Sequence, residues 1–180
     1  MIISTHPYTP ETHALRDAPN GLLRTLAPMT ANAADILAPQ IAAIGPWAHY
    51  GFSAAVLRAA LMKSGDGAIR YQLLCGGSPA GAVVICSPWL VGPYLQMLAV
   101  TPEFQRQGAG AAILDWYETK AHLARLRNVW LCVSGFNVSA QQLYQRHGYQ
   151  LTAHLPGLLA AGEDELLMRK DLSARLAAPS

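Results

Sequence analysis

The sequence predicts an α/β (α+β) domain: a mixed, mostly antiparallel central sheet of about six or seven strands with helices on both faces. Three observations predict it. Two helical patterns follow a first short strand, and a cluster of strand-like runs then occupies residues 69–100. Beyond residue 100 helix and strand alternate. The strands in that region read as near-continuous apolar runs, the pattern of a sheet covered on both faces.

Residues 1–20 carry Pro7, Pro10 and Pro19 among mixed polar residues and read as an irregular arm. Residues 21–26 form a first strand candidate. Over residues 33–44, Ile36, Leu37, Ile41 and Ile44 recur at helical spacing. Pro39 inside that pattern should kink the helix or mark a late start. Gly45-Pro46 ends it. Residues 54–61 form a second helix, with Ser53 as N-cap and Ala54, Leu57 and Leu61 along one face. After a turn at 64–67, residues 69–75 and 81–86 flank Gly76-Gly77-Ser78-Pro79 as a hairpin. Pro88 and Pro93 bracket a loop, and residues 94–100 are a third strong strand candidate. A long helix is expected over 108–126, a buried strand over 129–133 and a short helix over 139–146. That last helix ends at His147-Gly148, with glycine in its usual capping place. Residues 149–154 and 165–170 close the sheet, and the chain ends in a loose tail. A single domain over 21–171 is therefore expected, between the arm at 1–20 and a tail at 172–180.

Composition narrows the function. With 180 residues, 52% of them hydrophobic and 13% charged, the chain can bury one substantial core. A formal charge of +2, with its basic residues scattered, lacks the stripe that a nucleic-acid binder needs. The apolar stretch over 73–100 is broken by Gly76-Gly77, Pro79, Pro88 and Pro93, so no membrane span is expected. Cys75, Cys86 and Cys132 lie far apart in apolar runs, which suits a reducing compartment. The first residues lack a basic region followed by a long apolar core. Together these readings predict a cytoplasmic protein. The six histidines show no metal spacing, so no metal is expected.

The strongest chemical signal is Gln105-Arg106-Gln107-Gly108-Ala109-Gly110-Ala111, placed where the strand ending at Val100 gives way to a helix. Amide groups at a helix start have no intrahelical acceptor, and the helix dipole adds partial positive charge. Such an end takes phosphate readily. Glycine disfavours helix interiors, so Gly108 and Gly110 at the start of one need a reason. The segment has neither the Gly-Lys-Ser/Thr of a Walker loop nor the GxGxxG of a dinucleotide fold.

This segment resembles the Gln/Arg-x-x-Gly-x-Gly/Ala signature of the GNAT N-acetyltransferase superfamily. Further along, Asn137, Leu143-Tyr144, Gly148 and Tyr149 follow in the order of that family's second landmark. The resemblance is most specific over 94–150, and the strand order extends it over about 22–170. It implies transfer of an acetyl group from acetyl-CoA, as co-substrate, to a primary amine by direct attack, the acceptor being a small amine, an amino acid or a protein amine, with a homodimer compatible with it. Leu98, Ala99 and Val100 would offer backbone groups to the pantetheine arm, and residues 106–111 would cradle the pyrophosphate, with Gln105 and Arg106 adding donors. Asn137 would bond the pantetheine or a phosphate, and Tyr144 would protonate the leaving thiolate. Within the family it resembles, members that acetylate ribosomal-protein N-termini look to carry a Glu five residues before the Asn. Cys132 stands there in this chain. The base is thereby left to a water chain ending at a carboxylate, at Tyr94 or at Ser134. Trp47, His49, Tyr50 and Phe52 form an aromatic cluster that either packs helices onto the sheet or lines the acceptor site. A non-catalytic acyl-CoA-binding module is the alternative to an enzyme.

Overall fold

A computed structural model describes residues 7–173. Among them, eight strands form one sheet in the order β1-β2-β3-β4-β5-β6-β8-β7. The strands are β1 (His13–Ala14), β2 (Arg24–Pro28), β3 (Ala68–Cys75), β4 (Ser78–Trp89), β5 (Gly92–Val100), β6 (Asn128–Ser134), β7 (Gln150–Pro156) and β8 (Asp164–Asp171). The helices are α1 (Ala31–Ala42), α2 (Ala54–Met62), α3 (Ala109–Leu123) and α4 (Val138–Arg146). Every neighbouring pair is antiparallel except β5 and β6. A parallel pair needs a crossover, and α3 supplies it.

Two cores lie on the two faces of the sheet. Ala33, Leu37 and Ile41 of α1 and Leu57 and Leu61 of α2 pack on Ala82, Val84 and Ala99. On the other face Ile113, Leu114 and Tyr117 of α3 pack with Val83, Ile85 and Leu131. Consecutive residues of β4 are thus buried in alternate directions, which explains the unbroken apolar run of that strand.

Pro39 neither delays nor ends α1. The helix begins at Ala31, capped by the Thr30 hydroxyl accepting from the Ala33 amide at 3.2 Å, and continues past Pro39 to Ala42. Burial of Leu37, Ala38 and Ile41 around the proline offsets its one missing amide donor. The segment between Pro88 and Pro93 is likewise tighter than a loop. β4 runs through Pro88 to Trp89, turns at Leu90-Val91, and β5 starts at Gly92. Pro88 falls where the register shifts, a place where the ladder does not need its amide. The Asn128 amide and Trp130 indole donate to the Val91 and Leu90 carbonyls and hold the turn from β6.

The N-terminal arm is also more ordered than its prolines suggest. Its described part adds edge strand β1 to β2, and Tyr8 is only 1% exposed. The Tyr8 ring stacks on Tyr117 at 5.5 Å, and its hydroxyl donates to the Tyr117 carbonyl at 2.9 Å. At the other end Leu172 is buried, while the rest of the expected tail, 174–180, lies outside the described residues.

Candidate active site

The parallel strands β5 and β6 pair only at Tyr94–Trp130 and Leu95–Leu131. Beyond that point they diverge, and a cleft of about 1360 Å³ opens between them, roofed by the first turns of α3 and α4. An irregularity in β5 opposite Val84 and Ile85 accompanies the divergence, consistent with the way bulges re-aim a strand.

The open edge of β5 is set by ladder alternation. The Thr101 amide donates to the Ala80 carbonyl, so Thr101 and Ala99 turn their backbone groups toward β4. Leu98 and Val100 consequently turn theirs toward the cleft. Ala99 has its side chain in the core under α1. The Val100 carbonyl accepts from Gln105 Nε2 at 2.8 Å, so the Gln105 amide is folded back on the strand end.

The loop into α3 contains two residues in the left-handed region, Arg106 at φ 58° and Gly108 at φ 83°. Gly108 is the N-cap, and the first turn of α3 holds no acidic residue. The helix start therefore keeps its partial positive charge. The Ala112 amide bonds the Gly108 carbonyl, whereas the amides from Ala109 to Ala111 precede the first full turn and have no intrahelical acceptor. The two glycines have different reasons. Gly108 occupies a conformation that L-residues rarely adopt, whereas a Cβ on Gly110 would lie 3.0 Å from Leu143 Cδ2. Gly110 thus lets α3 and α4 approach.

Of the residues singled out in sequence, Leu98, Val100, Gln105, Arg106, Gly108, Ala109, Gly110, Ala111, Asn137 and Tyr144 all line this cleft, with Ala99 behind them. Gln107 does not. Its side chain donates to the Glu103 carbonyl at 2.8 Å, and its own carbonyl accepts from the Arg24 guanidinium. Arg24, 2% exposed on β2, fastens the loop from below. Asn137 caps α4, its Oδ1 accepting from the Ala140 amide at 3.3 Å.

The Tyr144 side chain is 8% exposed and its ring meets Tyr149 edge-on at 6.0 Å. Burial pushes its hydroxyl pKa up to about 12, so it holds its proton throughout the neutral range. Cys132 faces the same cleft. Burial raises its thiol, and a hydrogen bond from Tyr94 partly opposes that rise. Tyr94 is raised strongly, again by burial.

The sequence reading passed over Glu165. This β8 residue is 5% exposed, sits opposite Ser134, and is the one carboxylate lining the cleft among the described residues. Its Oε1 accepts from the Tyr50 hydroxyl at 2.7 Å. The available signal was phase: in a period-2 strand Glu165 shares a face with buried Leu167, an unusual place for a carboxylate. The aromatic cluster divides its work. Trp47 and Phe52 line the cleft, whereas His49 and Tyr50 bond Glu163 and Glu165 and pack against Phe136. Among the described residues no group of three or more His, Cys, Asp or Glu is placed to hold a metal ion, and no helix is long and apolar enough to cross a membrane.

Comparison with known proteins agrees with this geometry. The family model of the Acetyltransferase (GNAT) family matches residues 38–149. A ribosomal protein bS18-alanine N-acetyltransferase of Escherichia coli (strain K12) is 29% identical over 104 residues, 58% of this chain and 64% of that protein. YdhI of Bacillus subtilis (strain 168), an uncharacterized protein, is 28% identical over 78 residues, 43% of this chain and 49% of its own. The chain thus spans between about half and two-thirds of the length of these curated relatives. Mycobacterium smegmatis RimJ, solved in complex with CoA-disulfide, superposes with a TM-score of 0.70 at 16% identity, covering 95% of this chain and 91% of that one, a likeness of fold. With well over half of its residues matched by the family model, the chain belongs to the GNAT acetyltransferase family.

Proposed function

We propose that this protein transfers the acetyl group of acetyl-CoA to a primary amine by direct attack. The observation that carries the reading is the splay of β5 from β6 directly beside the uncompensated N-terminus of α3. An extended pantetheine arm can pair with the cleft-facing backbone groups of Leu98 and the cleft-facing amide of Val100, as a further strand would, the Val100 carbonyl being held by Gln105. The pyrophosphate then falls to the amides of residues 108–111, with Arg106 adding charge. The CoA ligand of the M. smegmatis structure supports this use of the fold.

The chain's own groups supply three things. The cleft-facing amide of Leu98 or Val100 can stabilise the oxyanion that forms when nitrogen attacks the thioester carbon. Tyr144, kept neutral by burial, gives its proton to the departing sulfur. The cleft walls formed by Trp47, Phe52 and Phe136 hold the amine near the thioester. The E. coli relative acts on an alanine of ribosomal protein bS18. Cys132, in the place of the glutamate expected of such relatives, argues against carrying that acceptor over unchanged.

Release of free CoA thiol is the test, measured against a panel containing small alkyl amines, spermidine and an alanine-terminated peptide. Amine-dependent thiol release is expected. Acetyl-CoA bound but unconsumed across the panel would overturn the enzymatic reading in favour of an acyl-CoA-binding module.

A further inference from the structure

We infer that Glu165, carried on β8 and oriented by Tyr50, binds the acceptor's ammonium group and takes its proton. The inference rests on the acetyl-transfer reading above and concerns which residue makes the amine reactive. An alkyl amine is mostly ammonium at neutral pH, and an ammonium has no lone pair with which to attack. A base at the acceptor end of the cleft is therefore needed, and the strand position that Cys132 occupies holds none.

The sheet register places a substitute beside that position. Cys132 pairs with Leu167 and Ser134 with Glu165 across β6 and β8. Side chains two apart on one strand share a face, so Cys132, Ser134 and Glu165 project from the same side of the sheet. Glu165 is thus the diagonal neighbour of Cys132, on the next strand. All three line the cleft. The Glu165 carboxylate lies close enough to act electrostatically on both Cys132 and Tyr94, which mark the point where β5 and β6 part.

The other acidic side chains nearby are occupied or face elsewhere. Glu163 accepts from His49 at 2.8 Å and does not line the cleft. Glu103 sits in the loop before α3, outside the cleft wall. A carboxylate that is 5% exposed calls for hydrogen-bonded company, and Tyr50 provides it. The Tyr50 hydroxyl also lies in reach of Ser134, which makes a short polar line from Glu165 along the cleft floor. Tyr50 enters from the loop between α1 and α2 and fixes a carboxylate that still lines the cleft. Phe136 packs on both His49 and Tyr50, at 4.0 and 5.5 Å between ring centroids, and holds that loop in place.

The proton balance is complete with groups already named. The ammonium gives one proton to Glu165, which releases it to solvent. The neutral nitrogen forms the C–N bond by adding to the thioester carbon; collapse of the resulting oxyanion breaks the C–S bond, and Tyr144 gives its proton to the sulfur. The second proton lost by nitrogen returns through solvent to Tyr144. The sum is an ammonium and a thioester giving an amide, a thiol and one free proton.

The test pairs two nucleophiles: the panel's best alkyl amine, charged at neutral pH, and methoxyamine, which is neutral there and needs no base before attack. Glu165→Gln keeps an oxygen to accept from Tyr50. For this variant we expect turnover of the alkyl amine to fall about 100-fold, while methoxyamine turnover stays within about threefold and acetyl-CoA binding is unchanged. Tyr50→Phe keeps the assignment testable if the first variant does not fold; it should show the same split at smaller size. Equal loss with both nucleophiles would make Glu165 structural, and no loss with either would remove it from the reaction. A native protein that acetylates neither nucleophile overturns the acetyl-transfer reading itself, whereas a native protein active on both, with no split in the variants, overturns only the assignment of Glu165.

Discussion

Arg24 Nη2 donates to the carbonyl of Gln107, joining the second strand to the loop that precedes α3 across 83 positions of sequence. The guanidinium is buried and makes a second, longer contact to the Asp17 carbonyl at 3.5 Å. A hydrogen bond to a charged group contributes about 2 kcal/mol. Arg24→Met keeps the apolar stem and removes the donors. It should lower the melting temperature and weaken acetyl-CoA binding about tenfold in calorimetry, with kcat little changed at saturation. Unaltered affinity would show that the loop holds its shape without this anchor.

The two loop glycines should respond differently to substitution. Gly108 sits at φ 83°, a conformation that costs an L-residue roughly 1–2 kcal/mol and more for a branched one. Gly108→Val should therefore weaken acetyl-CoA binding and leave kcat largely intact. A leucine at Gly110 meets Leu143, the neighbour of Tyr144 on α4. Gly110→Leu should reduce kcat along with affinity. Kinetics showing the same affinity-only defect in both variants would contradict the separate roles.

The sequence made legible what is local. Strand runs, the α3 start and the 105–110 segment are each contained within a few residues, and the described elements follow them closely. Closing strands are expected at residues 149–154 and 165–170 and are found at 150–156 and 164–171, but the placement of β8 between β6 and β7 is a matter of pairing between distant segments. Tyr50 and Glu165 are 115 positions apart and Arg24 and Gln107 are 83 apart, and no periodicity connects such pairs. The β1 edge strand was hidden for a related reason. Two residues cannot show an alternation, and His13–Ala14 is a strand only because β2 offers its edge. The function of Gly110 was open to misreading because a glycine near an anion site and a glycine at a helix contact look alike until Leu143 is in view.

Tyr144→Phe removes one hydroxyl that makes no hydrogen bond among the described residues. The loss of packing is small, so folding and acetyl-CoA affinity should be unaffected. If the hydroxyl protonates the leaving sulfur, kcat should fall by roughly 10²-fold or more. Equal kcat for the two proteins, with any amine of the panel, would assign Tyr144 to packing against Tyr149.

Alkaline pH should unfold the protein through its tyrosines. Tyr8, Tyr117 and Tyr149 are raised well above their ordinary value of 10.0 by burial, and Tyr144 reaches about 12. For an acid raised in the folded state, both states are protonated below 10, so its stabilisation is fully present there. Above 10 the unfolded chain loses these protons first, and stability falls as pH climbs toward the folded value. Circular dichroism against pH, with tyrosinate absorbance in parallel, should show flat stability up to about 10 and a joint loss above it. Tyrosinate appearing near 10 while the fold stays intact would contradict the burial of these hydroxyls.

Cys132 should prove structural. Burial raises its thiol, so little thiolate is available at neutral pH, and a thiol in that state is a poor nucleophile. The variant Cys132→Ala removes one sulfur from a half-buried strand position and should cost about 1 kcal/mol of stability. The alkyl-amine rate should keep most of its value, because Glu165 rather than Cys132 meets the ammonium. The opposite result has a definite chemical meaning. A folded Cys132→Ala variant that binds acetyl-CoA yet loses activity by orders of magnitude would point to an acyl-cysteine intermediate. Radiolabelled acetyl-CoA supplied without amine would then leave label on the native protein and none on the variant. Direct attack predicts no label on either, since without an amine nothing displaces the thiol.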